Sequence, residues 1–288
     1  MTPPIPSRSG LRARLMGIVN VTPDSFHDGG RHFDPAQAIE HGLRLADEGA
    51  DLLDIGGEST RPGAPAIPAA EELARVLPVV AGLRAKCAVP LSIDTTKSEV
   101  ARAAIEAGAT VVNDVSGGRF DPRLLKVAAG RASLLVLGHT PARPDEMQRH
   151  ARYADVVAEV AAELRRSAER ARRAGVDPGS IVIDPGIGFG KTAEHSVRLL
   201  ARLDALTAMG YLVLVGASRK SFVGRILERN AAGRGAGPED RLFGSLGAAA
   251  AAVAAGAHIV LVHDVRATRE ALAVFEAVQA EGANGRRD

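Results

Sequence analysis

The chain has 288 residues, of which 46% are hydrophobic and 24% are charged, and these values are typical of a globular protein with one large core. Its 36 basic and 34 acidic side chains nearly cancel, and it has only two tyrosines, seven phenylalanines and no tryptophan to stack on bases. These features argue against a nucleic-acid partner. The single cysteine, Cys87, excludes an internal disulfide and fits a reducing compartment.

The N-terminal segment and one apolar stretch bear on targeting. Residues 1–14 contain no apolar core of the kind that a signal peptide needs, so we interpret them as a flexible N-terminal segment of a cytoplasmic protein. The stretch 246–262 is almost long enough to span a membrane, but it is mostly alanine, and Gly256 divides it into a helix ending at Ala255 and a strand at 258–263. We therefore predict no membrane segment, one domain over residues 15–281 and a tail over 282–288.

Short apolar runs that are typical of buried strands recur along the chain. They lie at 15–20, 52–55, 91–94, 111–113, 133–137, 181–184, 212–216 and 259–263. Segments with helical periodicity separate them, for example at 35–48, 69–86, 98–107, 153–174 and 268–280. Eight strand–helix units predict an α/β protein with a (β/α)8 TIM barrel as its single domain, although a doubly wound open sheet would show the same alternation.

Polar side chains stand at the C-terminal ends of all eight predicted strands. Barrel enzymes bind their ligands at this end, so these side chains should converge on one mouth. A barrel without a site would use some polar residues as helix caps, which is the role we expect for Ser98 and Asp121. The strand-end residues are Asn20, Asp54 with Glu58 beyond it, Asp94, Asn113 with Asp114, His139, Asp184, Ser218 with Lys220, and His263.

The stretch DPGIGFGK, residues 184–191, follows a predicted buried strand. Its three glycines would let the backbone approach a flat ligand, and Asp184 can accept hydrogen bonds from the N–H edge of that ligand. Pro185 stands where a phosphate-binding loop needs glycine, so nucleotide binding is not indicated. On its own, the stretch is equally compatible with an ordinary strand-to-helix turn.

Seven motifs lie at or beyond the predicted strand ends. Two are glycine- and proline-rich loops, NVTPDSFHDGG at 20–30 and GGESTRPG at 56–63. The others are SIDT at 92–95, VNDVSG at 112–117, DPGIGFGK at 184–191, SRKSF at 218–222 and VHDV at 262–265. Together they closely resemble the motifs of the dihydropteroate synthase family, the two loops being the most specific, and the resemblance extends from about residue 15 to residue 275.

The resemblance implies a transferase of folate biosynthesis. Such enzymes join 4-aminobenzoate to the methylene carbon of a 7,8-dihydropterin diphosphate and release diphosphate in the presence of Mg²⁺. The resemblance further implies a homodimer, formed through the apolar faces at 242–253 and 271–278. His27, His32, His41 and His150 have no metal-ligand spacing, and we expect them to be solvated.

The family pattern also implies a role for each site residue. Those assigned to the pterin diphosphate are Thr60, Asp94, Asn113, Asp184, Lys220, Leu261 and His263. Those assigned to 4-aminobenzoate are Pro62, Phe189, Lys220 and Ser221. Asn20 is assigned to Mg²⁺, and the catalytic residues are Asp94, Lys220 and Arg61. The acids and the lysine also suit the amino, N–H and carbonyl edge of a pterin on chemical grounds.

The chain departs from the family pattern at two positions. Leu261 precedes Val-His-Asp-Val where the family usually has arginine, and Gly138 stands where it usually has methionine. A leucine can cover a ring but carries no charge. Arg219, Arg225 and Arg266 are candidates to replace that charge.

Two alternatives to the synthase activity follow from these departures and from the fold. The first is a catalytically weak paralogue that binds pterins without turnover. The uncharged Leu261 is the feature that is compatible with this alternative. The second is a pterin-dependent methyltransferase domain, although the sequence has neither a cobalamin module nor a cluster of zinc-binding cysteines.

Overall fold

The computed structural model describes residues 12–22, 34–230 and 237–284. Eight parallel strands close into a barrel in chain order, and the last strand pairs with the first. The strands are β1 (Arg14–Asn20), β2 (Leu52–Gly56), β3 (Leu91–Asp94), β4 (Val111–Asp114), β5 (Leu134–Gly138), β6 (Ile181–Asp184), β7 (Leu212–Val215) and β8 (Ile259–Val262). The predicted TIM barrel is confirmed, and an open sheet is excluded.

Helices cover the outside of the barrel and alternate with its strands along the chain. They are α1 (Pro35–Asp47), α2 (Ala69–Lys86), α3 (Ser98–Glu106), α4 (Arg123–Arg131), α5 (Val156–Arg173), α6 (Ala193–Ala201), α7 (Asp204–Thr207), α8 (Ser221–Asn230), α9 (Leu242–Ala254) and α10 (Val265–Asn284). Short 3₁₀ turns occur at Met147–His150, Pro178–Ser180 and Pro238–Arg241.

The helix ends show which of the predicted caps are correct. Asp121 accepts hydrogen bonds from the backbone N–H of Ser98 at 3.0 Å and of Arg123 at 3.2 Å, so this one carboxylate caps both α3 and α4. The prediction for Ser98 was wrong, because Lys97 occupies the cap position of α3 and Ser98 is the first residue of the helix. The N–H of Ser98 is satisfied by a residue from another loop, which sequence spacing does not reveal.

The stretch 246–262 divides as predicted. The helix α9 is followed by Gly256, whose φ of 97° lies in the left-handed region that favours glycine, and β8 begins three residues later. Among the described residues, no helix is both long enough and apolar enough to cross a bilayer.

Strand parity divides the core into two layers. In β8, Val260 and Val262 pack outward against the helices, whereas Ile259 packs inward against residues such as Met16 and Val182. Leu261 follows the same parity and packs against the inner layer. The inward-facing positions are aliphatic in the strand bodies and mostly polar or glycine at the C-terminal strand ends, which we call the barrel mouth.

One of the four histidines that were expected to be solvated, His41, is partly buried. His41 is half-buried on α1, with its Nε2 3.3 Å from the carbonyl oxygen of Ile18 and its Nδ1 2.6 Å from the guanidinium of Arg44. His150 is exposed, as expected. His27 and His32 lie outside the described residues.

Candidate active site

Strand register places the predicted polar side chains around the barrel mouth. Asn20 is paired with Gly56, Gly56 with Asp94, and Asp94 with Asn113, all at inward-facing positions. Asp184 ends β6 at a position of the same parity. Gly56 has no side chain, and the carboxylate of Asp94 lies against this position, since a Cβ atom built on Gly56 would be 3.4 Å from Oδ2 of Asp94. The mouth therefore presents hydrogen-bonding groups from β1, β3, β4 and β6 to a ligand.

The acids of the mouth are deprived of water. The side-chain amide of Asn113 donates to Oδ2 of Asp54 at 2.8 Å. Burial raises the pKa of Asp54 to about 6, and the nearby carboxylate of Asp184 adds to the effect. Burial is also the largest cause of the raised pKa values of Asp94 and Asp184. A ligand that brings N–H donors would stabilise these carboxylates.

Lys220 lies among the same acids. Its ammonium donates to the carbonyl of Ile187 at 2.5 Å and lies 4.2 Å from the centroid of the Phe189 ring. Burial lowers its pKa to about 8, whereas Asp184 and Asp94 act in the opposite direction. Lys220 is thus a charged donor at neutral pH, placed between an aromatic face and the carboxylates.

Leu261 lies beside Lys220 at the mouth. A Cβ atom built on Gly216 would lie 3.4 Å from Cδ2 of Leu261 and 3.7 Å from Nζ of Lys220. Leu261 is half-buried and covers the inner apolar layer at this point. The residue therefore faces the mouth, as the family pattern implies, and brings apolar surface there in place of charge.

A second part of the mouth is electropositive. Nδ1 of His263 lies 3.0 Å from the hydroxyl of Ser218. Burial lowers the pKa of His263 to about 4, and the charges of Arg219, Lys220 and Arg61 act in the same direction. Three cations around a neutral imidazole would favour an anionic ligand.

The three arginines considered as replacements for the missing charge are placed differently. Arg219 donates to both carboxylate oxygens of Asp264, at 2.9 and 2.6 Å, and its charge acts on His263. Arg225 and Arg266 are exposed on α8 and α10. Arg219 is therefore the candidate closest to the electropositive part of the mouth, but it is paired with two carboxylates, Asp264 and, at 3.0 Å, Glu239, which offset its charge.

Asp114, which was predicted to lie at a strand end, does not face the mouth. Its two carboxylate oxygens accept hydrogen bonds from the backbone N–H groups of Ser116 at 2.8 Å and Gly118 at 2.7 Å. The parity of β4 directs Asn113 inward and Asp114 outward. Asp114 therefore shapes the loop after β4.

The loops after β4, β5 and β6 are packed against one another. A Cβ atom on Gly186 would lie 1.9 Å from the carbonyl oxygen of His139, and one on Gly138 would lie 2.7 Å from Cα of Val115. The ammonium of Lys191 lies 3.0 Å from Nδ1 of His139 and donates to the carbonyl of Phe189 at 2.9 Å. A methionine at position 138 would collide with the backbone of the preceding loop, which is a physical reason for the glycine in this chain.

The remaining predicted residues lie on the loop after β2 and at the start of α8. In the loop 57–67, which follows β2, Thr60 is half-buried, whereas Arg61 and Pro62 are exposed. The N–H of Gly63 donates to the carbonyl of Pro144 at 2.9 Å. Ser221 follows Lys220 directly and begins α8. Residues 23–33, which include most of the first family motif, lie outside the described residues.

Two buried polar residues near the mouth were given no role by the sequence. Asp54 was recognised as a strand end but not as a partner of Asn113, and Lys191 was seen only as the end of a motif. The alternation of side chains along β2 could have identified Asp54 as an inward-facing residue, because Leu53 and Ile55 on either side of it face outward. The carbonyl of Phe189 that Lys191 binds lies two residues away, but no sequence signal identifies its contact with His139, which is 52 residues distant in the chain.

Comparisons with known proteins identify the family. Residues 16–263 match the model of the pterin binding enzyme family. The dihydropteroate synthase of Mycobacterium leprae is 48% identical over 268 residues, which cover 92% of this chain and 93% of that relative. A structure of Xanthomonas albilineans dihydropteroate synthase with 4-aminobenzoic acid has a TM-score of 0.86 and 50% identity and covers 93% of this chain and 94% of its own.

A second structure of the Xanthomonas albilineans enzyme, in complex with 7,8-dihydropteroate, has a TM-score of 0.83 and 46% identity, with 95% of both chains covered. Both the sequence match and the structural match thus extend over nearly the whole chain, including every strand that contributes to the mouth. The chain therefore belongs to the pterin binding enzyme family, within the group formed by the dihydropteroate synthases.

Proposed function

We propose that the chain joins 4-aminobenzoate to the methylene carbon of a 7,8-dihydropterin diphosphate, giving 7,8-dihydropteroate and diphosphate in folate biosynthesis. The observation that carries this proposal is the convergence of Asp94, Asn113, Asp184 and Lys220 at one barrel mouth. Nearly full-length similarity to dihydropteroate synthases supports it. A cytoplasmic location is part of the same proposal.

The pterin ring would bind among the buried acids. Its amino group and ring N–H would donate to Asp94 and Asp184, and its carbonyl would accept from Lys220. Asn113 is held by Asp54 at 2.8 Å, which orients its amide. The donors of the ring would compensate carboxylates that burial otherwise disfavours, so binding energy is concentrated at this edge.

The diphosphate would bind at the electropositive part of the mouth. Arg61, His263 and Thr60 would contact it, with Arg219 nearby. In the reaction the bond between the methylene carbon and the diphosphate oxygen breaks, and the bond to the aminobenzoate nitrogen forms. Negative charge grows on the leaving group, so fixed cations stabilise the transition state more than the ground state.

Mg²⁺ fits this arrangement with Asn20 as a protein ligand. Among the described residues, no group of three or more His, Cys, Asp or Glu side chains could hold a metal ion without other ligands. Asn20 is half-buried at the inward-facing end of β1 and offers one neutral oxygen. Mg²⁺ commonly takes few protein ligands and completes its shell with phosphate oxygens and water. When bound, it would supply positive charge to the diphosphate.

4-Aminobenzoate would bind beyond the methylene carbon. Phe189 and Pro62 would cover its ring, and Lys220 and Ser221 would contact it at the start of α8, where the helix dipole favours a carboxylate. Its amine loses a proton after the new bond forms, so no strong base is required. Lys220 would thus contact both substrates.

We also propose that the protein is a homodimer. An apolar cavity of about 560 Å³ lies between α6, α8 and α9 and is lined by residues that include Phe222, Ile226 and Ala248. Phe243, in the first turn of α9, is 82% exposed. A self-associating surface would cover such residues. Sedimentation of wild-type protein and of Phe243→Glu tests this, with a dimer expected for the first and a shift toward monomer for the second.

Leu261 favours a second candidate function, a pterin-binding protein that turns over slowly. The deciding experiment measures diphosphate release from the pterin diphosphate with and without 4-aminobenzoate. We expect release that requires 4-aminobenzoate and Mg²⁺ and yields dihydropteroate. Tight pterin binding without release would support the second candidate, and absence of both would contradict the assignment of this mouth to pterins. No observation favours the methyltransferase alternative.

A further inference from the structure

Three charged side chains form a cluster under the loop 57–67, which we call the Glu58–Lys97–Glu72 triad. The ammonium of Lys97 lies 3.0 Å from Oε1 of Glu58 and 2.5 Å from Oε2 of Glu72. The side chain of Glu72 has no solvent exposure, and those of Glu58 and Lys97 are 15% and 20% exposed. The triad therefore joins α2, the residue before α3 and the loop after β2 through a single cation.

Glu58 closes the loop that carries the anion-binding residues. Its Oε1 accepts a hydrogen bond from the backbone N–H of Ile67 at 2.8 Å in addition to the contact with Lys97. Residues 59–66, which include Thr60 and Arg61, thus lie between two points held by the same carboxylate oxygen. Arg75 adds a further anchor, because its guanidinium donates to the carbonyl of Gly57 at 2.8 Å.

Lys97 is also close in sequence to the pterin-binding end of β3. It follows Asp94 by three residues, and its N–H donates to the hydroxyl of Thr95 at 3.2 Å. The segment 94–97 therefore connects the inward-facing carboxylate of Asp94 to the ammonium that holds the loop 57–67. A displacement of Lys97 would change the distance between the two parts of the mouth.

The charge balance of the triad argues against a role in stability alone. Burial raises the pKa of Glu72, and the Lys97 ammonium opposes this effect. Taking one cation and two carboxylates out of water is costly, and such clusters seldom stabilise a fold more than apolar residues of similar size. Their cost is better explained by fixed geometry, since transfer reactions are sensitive to placement errors of about 1 Å.

We propose that Lys97 is a positioning residue for the transfer reaction and that, through Glu58, it holds Thr60 and Arg61 at the distance from Asp94 that the pterin diphosphate spans. The identity of the substrate in this inference rests on the proposed function. The placement of the loop 57–67 by Lys97 is independent of that function and can be measured without turnover.

The test compares Lys97→Met, Lys97→Arg and a control, Arg131→Met. The control removes a surface ion pair between Arg131 and Glu106 of α3 and leaves the loop 57–67 untouched. Hydrogen exchange of a peptide covering residues 59–67 reports the loop. Dissociation constants for the pterin diphosphate and the bare pterin alcohol report the two parts of the mouth, and kcat and KM are measured where turnover is found.

For Lys97→Met we expect faster exchange at 59–67 and about 10- to 100-fold weaker binding of the pterin diphosphate, with the affinity for the bare alcohol nearly unchanged. Lys97→Arg should restore most of the loss, and Arg131→Met should behave as wild type. Equal weakening for both ligands, or wild-type exchange at 59–67, would overturn the proposal.

Glu58→Gln serves if Lys97→Met does not fold, because glutamine can still accept from Ile67 while the ion pair is lost. It should show the same selective loss for the diphosphate, and equal or absent losses for the two ligands would again overturn the proposal. If wild type binds the pterin diphosphate without turnover, the synthase activity fails, while the exchange and binding measurements still decide the role of Lys97.

Discussion

The ammonium of Lys220 lies over the ring of Phe189, 4.2 Å from its centroid, while it also donates to the backbone of the loop that carries that ring. The contact joins the end of β7 to the loop after β6 and forms one wall of the proposed aminobenzoate site. A lysine in this position can contact the pterin and also keep the aromatic ring in place.

Phe189→Leu should raise KM for 4-aminobenzoate more than it changes the affinity for the pterin. Loss of the cation–π contact and of the aromatic wall removes about 0.5–2 kcal/mol, or roughly 2- to 30-fold in binding. Steady-state kinetics with each substrate varied in turn provides the measurement. The matched control is Phe120→Leu, which removes a similar contact with Arg143, between the loops after β4 and β5, and does not involve Lys220. An equal rise in KM for the control would mean that the effect is not local.

Asp184→Asn should keep the fold and weaken pterin binding by about 1.5–3 kcal/mol, because the charge-assisted hydrogen bonds to the ring edge are lost. Oδ1 of Asp184 accepts from the N–H of Gly186 at 2.8 Å, and an asparagine oxygen can replace that contact. Calorimetric titration with the pterin alcohol measures the loss. An unchanged affinity in a folded variant would remove Asp184 from the pterin site.

Pterin affinity should depend on pH, rising as the acids of the mouth ionise and declining above about 8 as Lys220 loses its proton. Burial raises the pKa of Asp54 to about 6 and also raises the pKa values of Asp94 and Asp184, so affinity for a donor-rich ring rises as pH increases and these groups become carboxylates. Burial lowers the pKa of Lys220 to about 8, so affinity declines above that pH as the ammonium loses its proton.

Dissociation constants of the pterin alcohol across this range measure the profile. Calorimetry in buffers of different ionisation enthalpy should detect proton release on binding in the low-pH range, where affinity rises with pH. The Lys220→Arg variant should lose the decline at high pH, because arginine stays protonated. A profile without pH dependence would show that these groups do not change protonation on binding.

Leu261→Arg should strengthen binding of the pterin diphosphate by about 1.5–3 kcal/mol, which is roughly tenfold to a hundredfold. The residue faces the mouth beside Gly216 and Lys220, so a guanidinium there would reach the electropositive part where the diphosphate is proposed to bind. The bare pterin alcohol should gain much less. Leu261→Met is the control for the change of shape.

Two outcomes would limit the interpretation of position 261. Equal gains for both ligands would mean that residue 261 does not contact the diphosphate. A weaker affinity in Leu261→Arg would show that Arg219 or Lys220 already fills this place and repels a further cation.

The barrel and the polar strand ends could be predicted because their signals are local. An apolar run, a glycine after a helix and a carboxylate at the end of a strand each lie within a few residues, and the glycines at 49, 108, 175 and 256, which follow helices, all adopt a positive φ. Parity then distinguishes Asn113, which faces the mouth, from Asp114, which does not.

The remaining features depend on contacts between distant segments. Ser98 is satisfied by Asp121 from the next loop, and Lys97 joins Glu58 to Glu72 across two helices and a loop. No window of sequence contains both partners of these contacts. The burial of His41 against β1 was missed for the same reason.

The close packing of Gly138 and Gly186 against neighbouring backbone determines where ligands can enter and leave the barrel. The loops after β4, β5 and β6 touch without intervening side chains, so none of them can swing outward without displacing the next. This packing restricts outward movement of the wall that carries Phe189. The loop 57–67 instead presents exposed residues at its tip, where a Cβ atom built on Gly63 would meet no atom within 4 Å and the Gly63 N–H is bonded to the carbonyl of Pro144. Substrates and diphosphate should therefore enter and leave beside the loop 57–67. Release of diphosphate would then require movement of the same residues that are proposed to bind it.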